Sequence, residues 1–531
     1  MKRLGSWVAR VSAVALSLAG VMVSSAASAA EQVGIDERIN ALVKPVADWL
    51  GATIFGRACF GGDGGFGLGT CAPDQTGVPM IVAWLVMGGV ITTLYFRFIN
   101  FRGFAQGFRL MRGDFDDKDS PGEVTHFQAL TSAISGTVGL GNIAGVALAV
   151  TIGGPGATFW MIVAGLLGMT TKFAECTLGV KYRRINADGT VSGGPMFYLS
   201  RGIAENYPRL GALGIGKALA IVFAVCAMLG AIGAGSMFQA NQAFGQFYKI
   251  TGGAAGPLEG MGWAFGIGIA FLAGLVVIGG ITRIGAVTSK LIPAMIFLYL
   301  AGCATVLFVH AGQIPNAIAL IVSSAFDNQA VAGGIIGALI VGFQRAAFSN
   351  EAGLGSAAIA HSAVKTKHPA TEGLVALWEP FIDTVVVCSA TALMVVVTGA
   401  YLTPGLEGVQ ITSQAFASVA AWFPYVLTVA VFLFAFSTML TWAYYGAKAA
   451  TYITGENKVV LYGFKLFYLA MAVVACTMDL KELVNVSDGL IFLMAIPNLI
   501  GVYLLMPVVR REVEGYFAKL KSGEIRPTGG R

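Results

Sequence analysis

Residues 135–150 read SGTVGLGNIAGVALAV, a stretch that is apolar enough to lie in a membrane but is crowded with glycine. Gly136, Gly139, Gly141 and Gly145 fall close together, and Asn142 lies among them. Glycine is a poor helix former, and an asparagine in hydrocarbon needs hydrogen-bond partners. The pattern therefore predicts a membrane helix that is interrupted in its middle.

The composition of the whole chain is that of a membrane protein. Of 531 residues, 56% are hydrophobic and 12% are charged, and the mean hydropathy is +0.74. A soluble globular chain carries about 25% charged residues, so one polytopic, all-α domain in a lipid bilayer is expected. The net charge of +6 is explained by basic loops beside the membrane, and no nucleic-acid partner is expected.

The N-terminus has the layout of an export signal. A basic start is followed by an apolar core and by small residues that offer cleavage sites after Ala29 or Ala30. We expect residues 1–30 to be a signal peptide, and an uncleaved signal anchor is the alternative. In both cases residues 31–78 are expected to form a periplasmic segment, for which the sequence indicates no role.

Two of the seven cysteines, Cys59 and Cys71, fall in this exported segment. An oxidising compartment permits a disulfide between them, and two free thiols are the other possibility, so the sequence leaves the pairing open. The other five lie in apolar runs and are expected to be small core residues: Cys176, Cys226, Cys303, Cys388 and Cys476.

Eleven apolar runs follow the signal, each about as long as a bilayer crossing requires. They are 79–98, 128–152, 156–178, 215–247, 262–281, 286–309, 333–360, 373–400, 420–446, 459–478 and 485–508. Lys and Arg cluster after the odd-numbered runs, which are therefore expected to end in the cytoplasm. The sequence thus predicts a multi-pass protein of the cell inner membrane, with a periplasmic N-terminus, a transmembrane domain over 79–508 and a cytoplasmic tail over 509–531.

An internal repeat is indicated once the first run is set aside, because ten runs divide into five and five. VGLGNIAG (138–145) opens the first half, and the run that contains AGLGSAAI (352–359) opens the second. Halves of five crossings must have opposite topology. The sequence therefore predicts a 5+5 inverted repeat with a discontinuous first helix in each half, plus one extra N-terminal helix. Interrupted helices at matching positions indicate the central site of a transporter.

An unwound segment at mid-membrane exposes backbone groups that protein or a water-filled cavity must satisfy. Its N–H groups can bind a carboxylate, and its carbonyls can coordinate a cation. One broken helix can thus hold an amino acid and Na⁺ together. Close helix packing by small residues is the structural alternative, but the mirrored position in the other half favours a functional break.

Other classes of site find no support in the sequence. Residues 139–144 fit the dinucleotide pattern G-x-G-x-x-A, which has meaning only in a soluble βαβ unit. No phosphate-binding G-x-x-x-x-G-K-[ST] motif is present, so ATP-driven transport is not supported. His126, His310, His361 and His368 show no metal-ligand spacing. We see no nucleophile–base arrangement of an enzyme, and we expect no cofactor.

Eight ordered sequence blocks are distributed between about residues 79 and 508. They are GTVGLGNIAGVA (136–147), GGPGATFWM (153–161), TKFAE (171–175), KYR (181–183), GGPMFYL (193–199), FQRAAFSNEAGLGSA (343–357), IDTVVVC (382–388) and TWAYYG (441–446). Together, these blocks resemble the alanine or glycine:cation symporter family, the sodium:alanine symporters. The resemblance implies the inverted-repeat fold of the neurotransmitter:sodium symporters. It also implies alternating-access uptake of alanine, glycine or a similar small amino acid, coupled to Na⁺ or, alternatively, H⁺.

The resemblance further implies which residues bind the substrate. They are Thr137, Val138, Gly139, Gly141 and Asn142 at the first break, Phe348, Ser349 and Asn350 at the second, and Gln239 and Trp442 on neighbouring helices. The amides of the first break would hold the carboxylate. The structural alternatives are helix–helix hydrogen bonding for Gln239 and core packing for Trp442, and Asn241 fits either role.

The resemblance places a Na⁺ site at the carbonyls of Ser135 and Val138 and the hydroxyls of Ser437 and Thr438. Na⁺ is a hard cation that prefers such oxygen ligands. Each of the two hydroxyls could instead bond a carbonyl one turn back in its own helix.

Charged residues near the breaks have two interpretations. Arg345 and Glu351 flank the second break, where charges are expensive and usually functional, but the two could instead pair and staple the break. Lys172 and Glu175 are more consistent with gate or interface charges.

A sensor or channel on the same scaffold is the other function class. A channel needs a continuous polar path, and a sensor needs a signalling domain, for which the tail at 509–531 is too short and too basic. The sequence does not decide among small amino acids, between Na⁺ and H⁺, or the oligomeric state.

Overall fold

The computed structural model describes residues 35–60, 67–69, 71, 76–116, 119–187, 189–277, 280–327, 334–455 and 457–527. The expected signal peptide, residues 1–30, lies outside the described residues. Nearly all of the described secondary structure is helical.

Within these ranges, seven helices are long and apolar enough to cross a membrane, and a bent pair counted as one span brings the number to eight. The seven are Gly156–Lys181, Ile215–Ile250, Ile284–Val309, Pro369–Thr398, Pro424–Thr454, Lys458–Ala475 and Leu480–Ser522. Met80–Tyr95 and Gly262–Val276 are shorter apolar helices. Each of the eleven expected runs contains a helix, but the eleven crossings and the inverted repeat stay predictions.

The other elements are mostly short. The helices are Ile35–Ile54, Ile99–Arg102, Phe104–Met111, Pro195–Phe197, Tyr198–Gly202, Ile203–Asn206, Pro208–Ala212, Gly253–Ala255, Ala311–Gln313, Ile314–Ser324, Ala400–Leu402 and Val409–Ala417. The strands are Arg57–Phe60, Gly67–Gly69 and Thr76–Pro79, which form one antiparallel sheet with Arg57–Phe60 in the centre, and Arg184–Ile185 paired with Val191–Ser192.

The first broken helix consists of His126–Thr137 and Gly141–Gly153, and its two parts are bent by 54°. It begins with a capping box. The Gln128 backbone N–H donates to the Thr125 hydroxyl, and the Thr125 backbone N–H donates to the Gln128 side-chain oxygen. The helix ends at Thr137 because Val138 leaves the helical conformation. The interruption predicted from the glycine-rich stretch is thus confirmed.

The second broken helix consists of Gly334–Asn350 and Ala357–His361. Between the two parts, Glu351, Gly353 and Gly355 have φ values of 57°, 91° and 79°. Only glycine adopts this left-handed region at little cost, and a Cβ on Gly355 would also lie 2.6 Å from Asn498 Oδ1. The predicted interruption of this run is also confirmed.

The two broken helices touch at their breaks. A Cβ on Gly141 would lie 3.4 Å from the ring of Phe348 and 3.5 Å from Cα of Ser349. Small residues also bring the helix Gly156–Lys181 against the second break, where a Cβ on Gly168 would lie 2.8 Å from Cβ of Ala352. The glycines therefore allow close packing as well as the interruption.

The segment before the first apolar helix packs on Leu480–Phe492, the helix that precedes the last one. A Cβ on Gly489 would lie 3.0 Å from Leu50 Cβ, and Lys44 forms an ion pair with Glu482 at 3.2 Å. Cys59 and Cys71 form a disulfide, so the structure favours the paired alternative. The five other cysteines are free and buried, as expected.

The last helix runs from Ala495 to Ser522 without a break. The expected boundary between the transmembrane domain and the tail, at residue 508, is therefore not an interruption of the helix. Most of the basic tail extends this helix as additional turns.

Candidate functional site

The backbone groups freed by the first break are satisfied by side chains. The Gly139 N–H donates to Asn142 Oδ1 at 2.9 Å, and the Leu140 N–H donates to Gln239 Oε1 at 2.9 Å. The Gly136 carbonyl accepts from Trp442 Nε1 at 3.3 Å. Because buried backbone groups must be paired, these contacts explain how a helix can be unwound here. Three of the expected site residues, Asn142, Gln239 and Trp442, are the ones that make them.

Gly139 lies at the point of closest approach between the break and its neighbours. A Cβ at this position would lie 2.6 Å from Thr438 Oγ1 and 2.9 Å from Gln239 Oε1. The Thr438 hydroxyl is buried and makes no hydrogen bond to any residue that the structure describes. A buried unpartnered hydroxyl costs about 1–3 kcal/mol, so this oxygen is available to a ligand at the break.

The expected cation ligands lie around the same point. The Ser135 hydroxyl donates to the Ser437 carbonyl at 3.0 Å, and the Thr441 hydroxyl donates to Ser135 Oγ at 3.0 Å. The Ser437 hydroxyl bonds the Phe434 carbonyl in its own helix at 3.1 Å. The intrahelical alternative therefore holds for Ser437, and among the described residues Thr438 makes no such bond.

The remaining first-half candidates have mainly structural contacts. The Thr137 hydroxyl donates weakly to the carbonyls of Ala133 and Ile134, at 3.5 and 3.4 Å, and Val138 is fully buried at the end of the helix. Asn241, for which two roles were open, donates to the carbonyls of Ala475 and Met478 at 2.7 and 2.9 Å. Asn241 is thus a helix–helix hydrogen-bonding residue.

Asp383 joins the two breaks. Its carboxylate accepts from Asn142 Nδ2 at 2.6 Å, from Ser349 Oγ at 2.9 Å and from Thr384 Oγ1 at 2.7 Å. Asn350 adds a further link, because its Nδ2 donates to Thr384 Oγ1 at 2.9 Å. Sequence reasoning assigned Asp383 no role, although a lone aspartate in an apolar run is itself a signal of function.

Phe348 and Trp442 are the large side chains at the site. Phe348 packs edge-on against Phe238, with ring centroids 5.0 Å apart. Trp442 is buried, and its Nε1 also donates to Glu351 Oε1 at 3.1 Å. Trp442 therefore contacts both breaks, through Gly136 of the first and Glu351 of the second.

The charged residues beside the second break do not pair with each other. Arg345 forms a buried ion pair with Asp488, and Glu351 accepts from Ser356 and Trp442. The expected alternative of an Arg345–Glu351 staple is therefore wrong. Asp488 was missed because it is distant in sequence, yet it too is a lone aspartate in an apolar run.

Lys172 and Glu175 belong to buried interactions between helices. Lys172 forms an ion pair with Glu379 at 3.0 Å, and Glu175 accepts from Asn498 Nδ2 at 2.6 Å. Glu379 and Glu372 lie seven residues apart in Pro369–Thr398, a spacing that places both on one helix face. That spacing in an apolar run is the sequence signal that could have identified Glu372 and Glu379 as a pair of buried acidic residues.

The sequence profile of the sodium:alanine symporter family matches residues 71–528. The chain belongs to the sodium:alanine symporter family. It is therefore an integral membrane protein of an amino-acid symporter family and not an enzyme.

Relatives in this family match nearly the whole of their own length. Sodium/alanine symporter AgcS of Methanococcus maripaludis is 37% identical over 452 residues, which cover 84% of this chain and 96% of AgcS. The Bacillus subtilis protein GlnT, described as a probable sodium/glutamine symporter, is 30% identical over 455 residues, 85% of this chain and 91% of GlnT. Among solved structures, the crystal structure of MhsT in complex with L-phenylalanine matches with 14% sequence identity and a TM-score of 0.46, over 74% of this chain and 99% of the MhsT chain.

Proposed function

We propose that this sodium:alanine symporter family member takes up alanine, glycine or a similar small amino acid together with Na⁺, as a secondary active symporter working by alternating access. The observation that carries the proposal is the break at Gly139. There, unwound backbone meets the amide oxygens of Asn142 and Gln239 and the buried, unpartnered hydroxyl of Thr438.

At the first break, a substrate carboxylate can bind by replacing the present hydrogen-bond acceptors of two backbone N–H groups. The N–H groups of Gly139 and Leu140 donate to side-chain amide oxygens. A substrate carboxylate is a stronger acceptor than an amide oxygen and gains from the positive end of the following half-helix. We infer that the carboxylate displaces one or both amide oxygens, which then turn toward the substrate's ammonium group.

The crowding around Gly139 supports a small substrate. The side chains of Thr438 and Gln239 lie so close to this glycine that a methyl group on it would collide with both. Phe348 lies against Gly141. The name of one relative, GlnT, refers to glutamine, so family membership alone does not decide the side chain. The narrow break favours alanine or glycine over a longer amino acid.

The oxygen atoms of Ser135, Val138, Ser437 and Thr438 are the proposed Na⁺ ligands. They are the carbonyl oxygens of Ser135 and Val138 and the hydroxyl oxygens of Ser437 and Thr438. The Ser135 hydroxyl donates to the Ser437 carbonyl at 3.0 Å, so the two helices that carry these ligands are in contact, and oxygen is the ligand type that a hard cation prefers. Each Na⁺ that moves inward gains about 2.3 kcal/mol per 100 mV of membrane potential, which is enough to concentrate a neutral amino acid.

The charge of the protein interior supports a cationic co-substrate. The buried acidic residues outnumber the buried basic ones in the described chain. The acids are Glu175, Glu351, Glu372, Glu379, Asp383 and Asp488, and the bases are Lys172, Arg345, His126 and His361. Since uncompensated charge is costly in a low-dielectric interior, this excess favours binding of a cation.

We further propose that the protein lies in the cell inner membrane with residues 31–78 in the periplasm and residues 509–531 in the cytoplasm. A single cysteine introduced into the tail of a variant that lacks its free native cysteines should resist an impermeant maleimide in intact cells. It should react after the cells are permeabilised. Labelling before permeabilisation would show the opposite orientation.

Uptake of labelled L-alanine into proteoliposomes tests the function. With an inward Na⁺ gradient, internal alanine should rise transiently above the external concentration, and an equal K⁺ gradient should give only equilibration. Uptake that never exceeds equilibration in either gradient would indicate a channel-like protein and contradict the symporter proposal.

A further inference from the structure

A chain of five buried charged or titratable side chains links four helical segments away from the proposed substrate site. His126 begins the first broken helix and His361 ends the second. Glu372 and Glu379 lie in Pro369–Thr398, and Lys172 lies in Gly156–Lys181. All five are at most 4% exposed.

The five side chains contact one another in a single series, from His126 to Lys172. His126 Nδ1 contacts Glu372 Oε2, and His361 Nδ1 lies 2.5 Å from Glu372 Oε1. The other nitrogen of His361, Nε2, lies 3.4 Å from Glu379 Oε2. The second oxygen of Glu379 accepts from Lys172 Nζ at 3.0 Å.

One link in this chain is unmade. His361 Nε2 and Glu379 Oε2 are both buried, and neither makes a hydrogen bond to any described atom. A carboxylate only accepts hydrogen bonds, so the close contact with Glu372 places the proton of a neutral imidazole on Nδ1. Nε2 then presents a lone pair to the lone pairs of Glu379 Oε2, an arrangement that costs energy in a dry interior.

A single proton resolves this arrangement. Protonated at Nε2, His361 becomes a cation that donates to Glu372 and forms an ion pair with Glu379, whose Oε2 lies 3.4 Å from Nε2. The net charge of the five side chains changes accordingly. With both histidines neutral, Lys172 offsets only one of the two carboxylates, and one added proton neutralises the remaining negative charge. Geometry and charge therefore agree on where the proton goes.

We propose that His361 and Glu379 form a proton-binding site that ties the second broken helix to the helix Pro369–Thr398. The proposal rests on the proposed symport, because it identifies a second cation that acts on the same broken helices. The arrangement seen here holds one more proton than an arrangement in which His361 and Glu379 separate, so by linkage protons favour the packed arrangement.

Other charged and titratable groups act on the pair from the elements packed around it. Glu175 and Cys176, on the same helix as Lys172, interact electrostatically with Glu379. Glu351 of the second break and Tyr445 of Pro424–Thr454 do so as well. Asp383 acts on Glu379 from the same helix, and Arg183 acts on Glu372. The carboxylic acids Glu175, Glu351 and Asp383 support a positive charge on His361 when they are ionised, and Arg183 opposes it. In the described chain, no group of three or more His, Cys, Asp or Glu side chains has an arrangement that could hold a metal ion.

The full-length protein carries only four histidines, so ¹⁵N-histidine NMR can follow His361 directly. The His361 resonance is assigned by its loss in His361→Gln. It should change from the pattern of a neutral imidazole to that of an imidazolium as the pH falls between about 9 and 5. In Glu379→Gln the same change should require at least about tenfold more acid, roughly one pH unit, because the acceptor has lost its charge.

His310→Gln is the matched control, because His310 bonds only a carbonyl of its own helix in the described structure and its loss should leave the His361 titration in place. A His361 resonance that keeps the neutral form from about pH 9 to 5, or that titrates at the same pH in Glu379→Gln, would overturn the proposal. The NMR result does not depend on transport. A failure of alanine uptake would therefore count against the proposed symport and leave the proton site to be judged separately.

Discussion

Replacing Gly139 by alanine adds one methyl group at the narrowest point of the first break. The new Cβ would lie 2.6 Å from Thr438 Oγ1 and 2.9 Å from Gln239 Oε1, well inside the distance at which non-bonded atoms attract. Overpacking of this kind costs about 1–3 kcal/mol, which corresponds to about a 5- to 150-fold loss of affinity if the strain falls on the ligand-bound state. We expect a loss in this range because the methyl group and the substrate carboxylate need the same space, and Gly139→Leu should abolish binding.

Gly145→Ala is the matched control, since Gly145 lies in the same broken helix. Its backbone is helical and a Cβ there meets nothing within 4 Å, so this variant should bind L-alanine with little change. Equilibrium binding of labelled L-alanine to purified protein in saturating Na⁺ gives both affinities, and size-exclusion chromatography verifies that the variants are folded. Equal affinities for folded Gly139→Ala and Gly145→Ala would refute the placement of the substrate at this break.

Three further predictions follow from named contacts. Thr438→Ala should raise the Na⁺ concentration that gives half-maximal alanine uptake, whereas Thr438→Ser keeps the oxygen and should leave it nearly unchanged; an unmoved Na⁺ dependence in folded Thr438→Ala would place the cation elsewhere. Arg345→Met should lower the free energy of unfolding by about 3–5 kcal/mol because it leaves the Asp488 carboxylate buried without its partner. A thermal melt should show this loss and its partial recovery on adding Asp488→Leu, and equal melting temperatures for all three proteins would contradict it. Thiol titration of the denatured, unreduced protein should find five reactive cysteines, since Cys59 and Cys71 are paired, and seven before reduction would disprove the disulfide.

The sequence predicted the helical architecture and both interruptions because those features have local causes. Glycines at 139 and 141 and at 353 and 355 weaken the helix wherever they occur, and apolar runs need a bilayer or a core whatever surrounds them. The position of the last helix end was less predictable. Ala495–Ser522 continues past residue 508 because a helix does not need to stop where its hydrophobicity stops.

The partners of the site residues could not be predicted in the same way. Asn142 and Asp383 are 241 positions apart in sequence, and Arg345 and Asp488 are 143 apart. Contacts at such separations depend on which helices pack together, and local sequence patterns do not show which helices those are. Arg345 and Glu351 are close in sequence, which favours a pair, but Arg345 contacts Asp488 and Glu351 contacts Ser356 and Trp442.

The histidines illustrate the same limit. His126 and His361 show no metal-ligand spacing in the sequence. The fold nevertheless brings both onto Glu372, because the start of one broken helix and the end of the other meet the same face of Pro369–Thr398. A spacing rule tests only local ligand sets and does not detect a carboxylate shared between distant helices.

The position of bound L-alanine tests the central claim most directly. A structure of the protein determined with L-alanine and Na⁺ should show the substrate carboxylate within hydrogen-bonding distance of the backbone N–H groups at Gly139 or Leu140. Thr438 Oγ1 should lie within reach of the substrate or the cation, and at least one of the amide oxygens of Asn142 and Gln239 should have moved off the backbone. L-alanine bound away from the first break, with the Gly139–Asn142 and Leu140–Gln239 hydrogen bonds intact, would contradict the account.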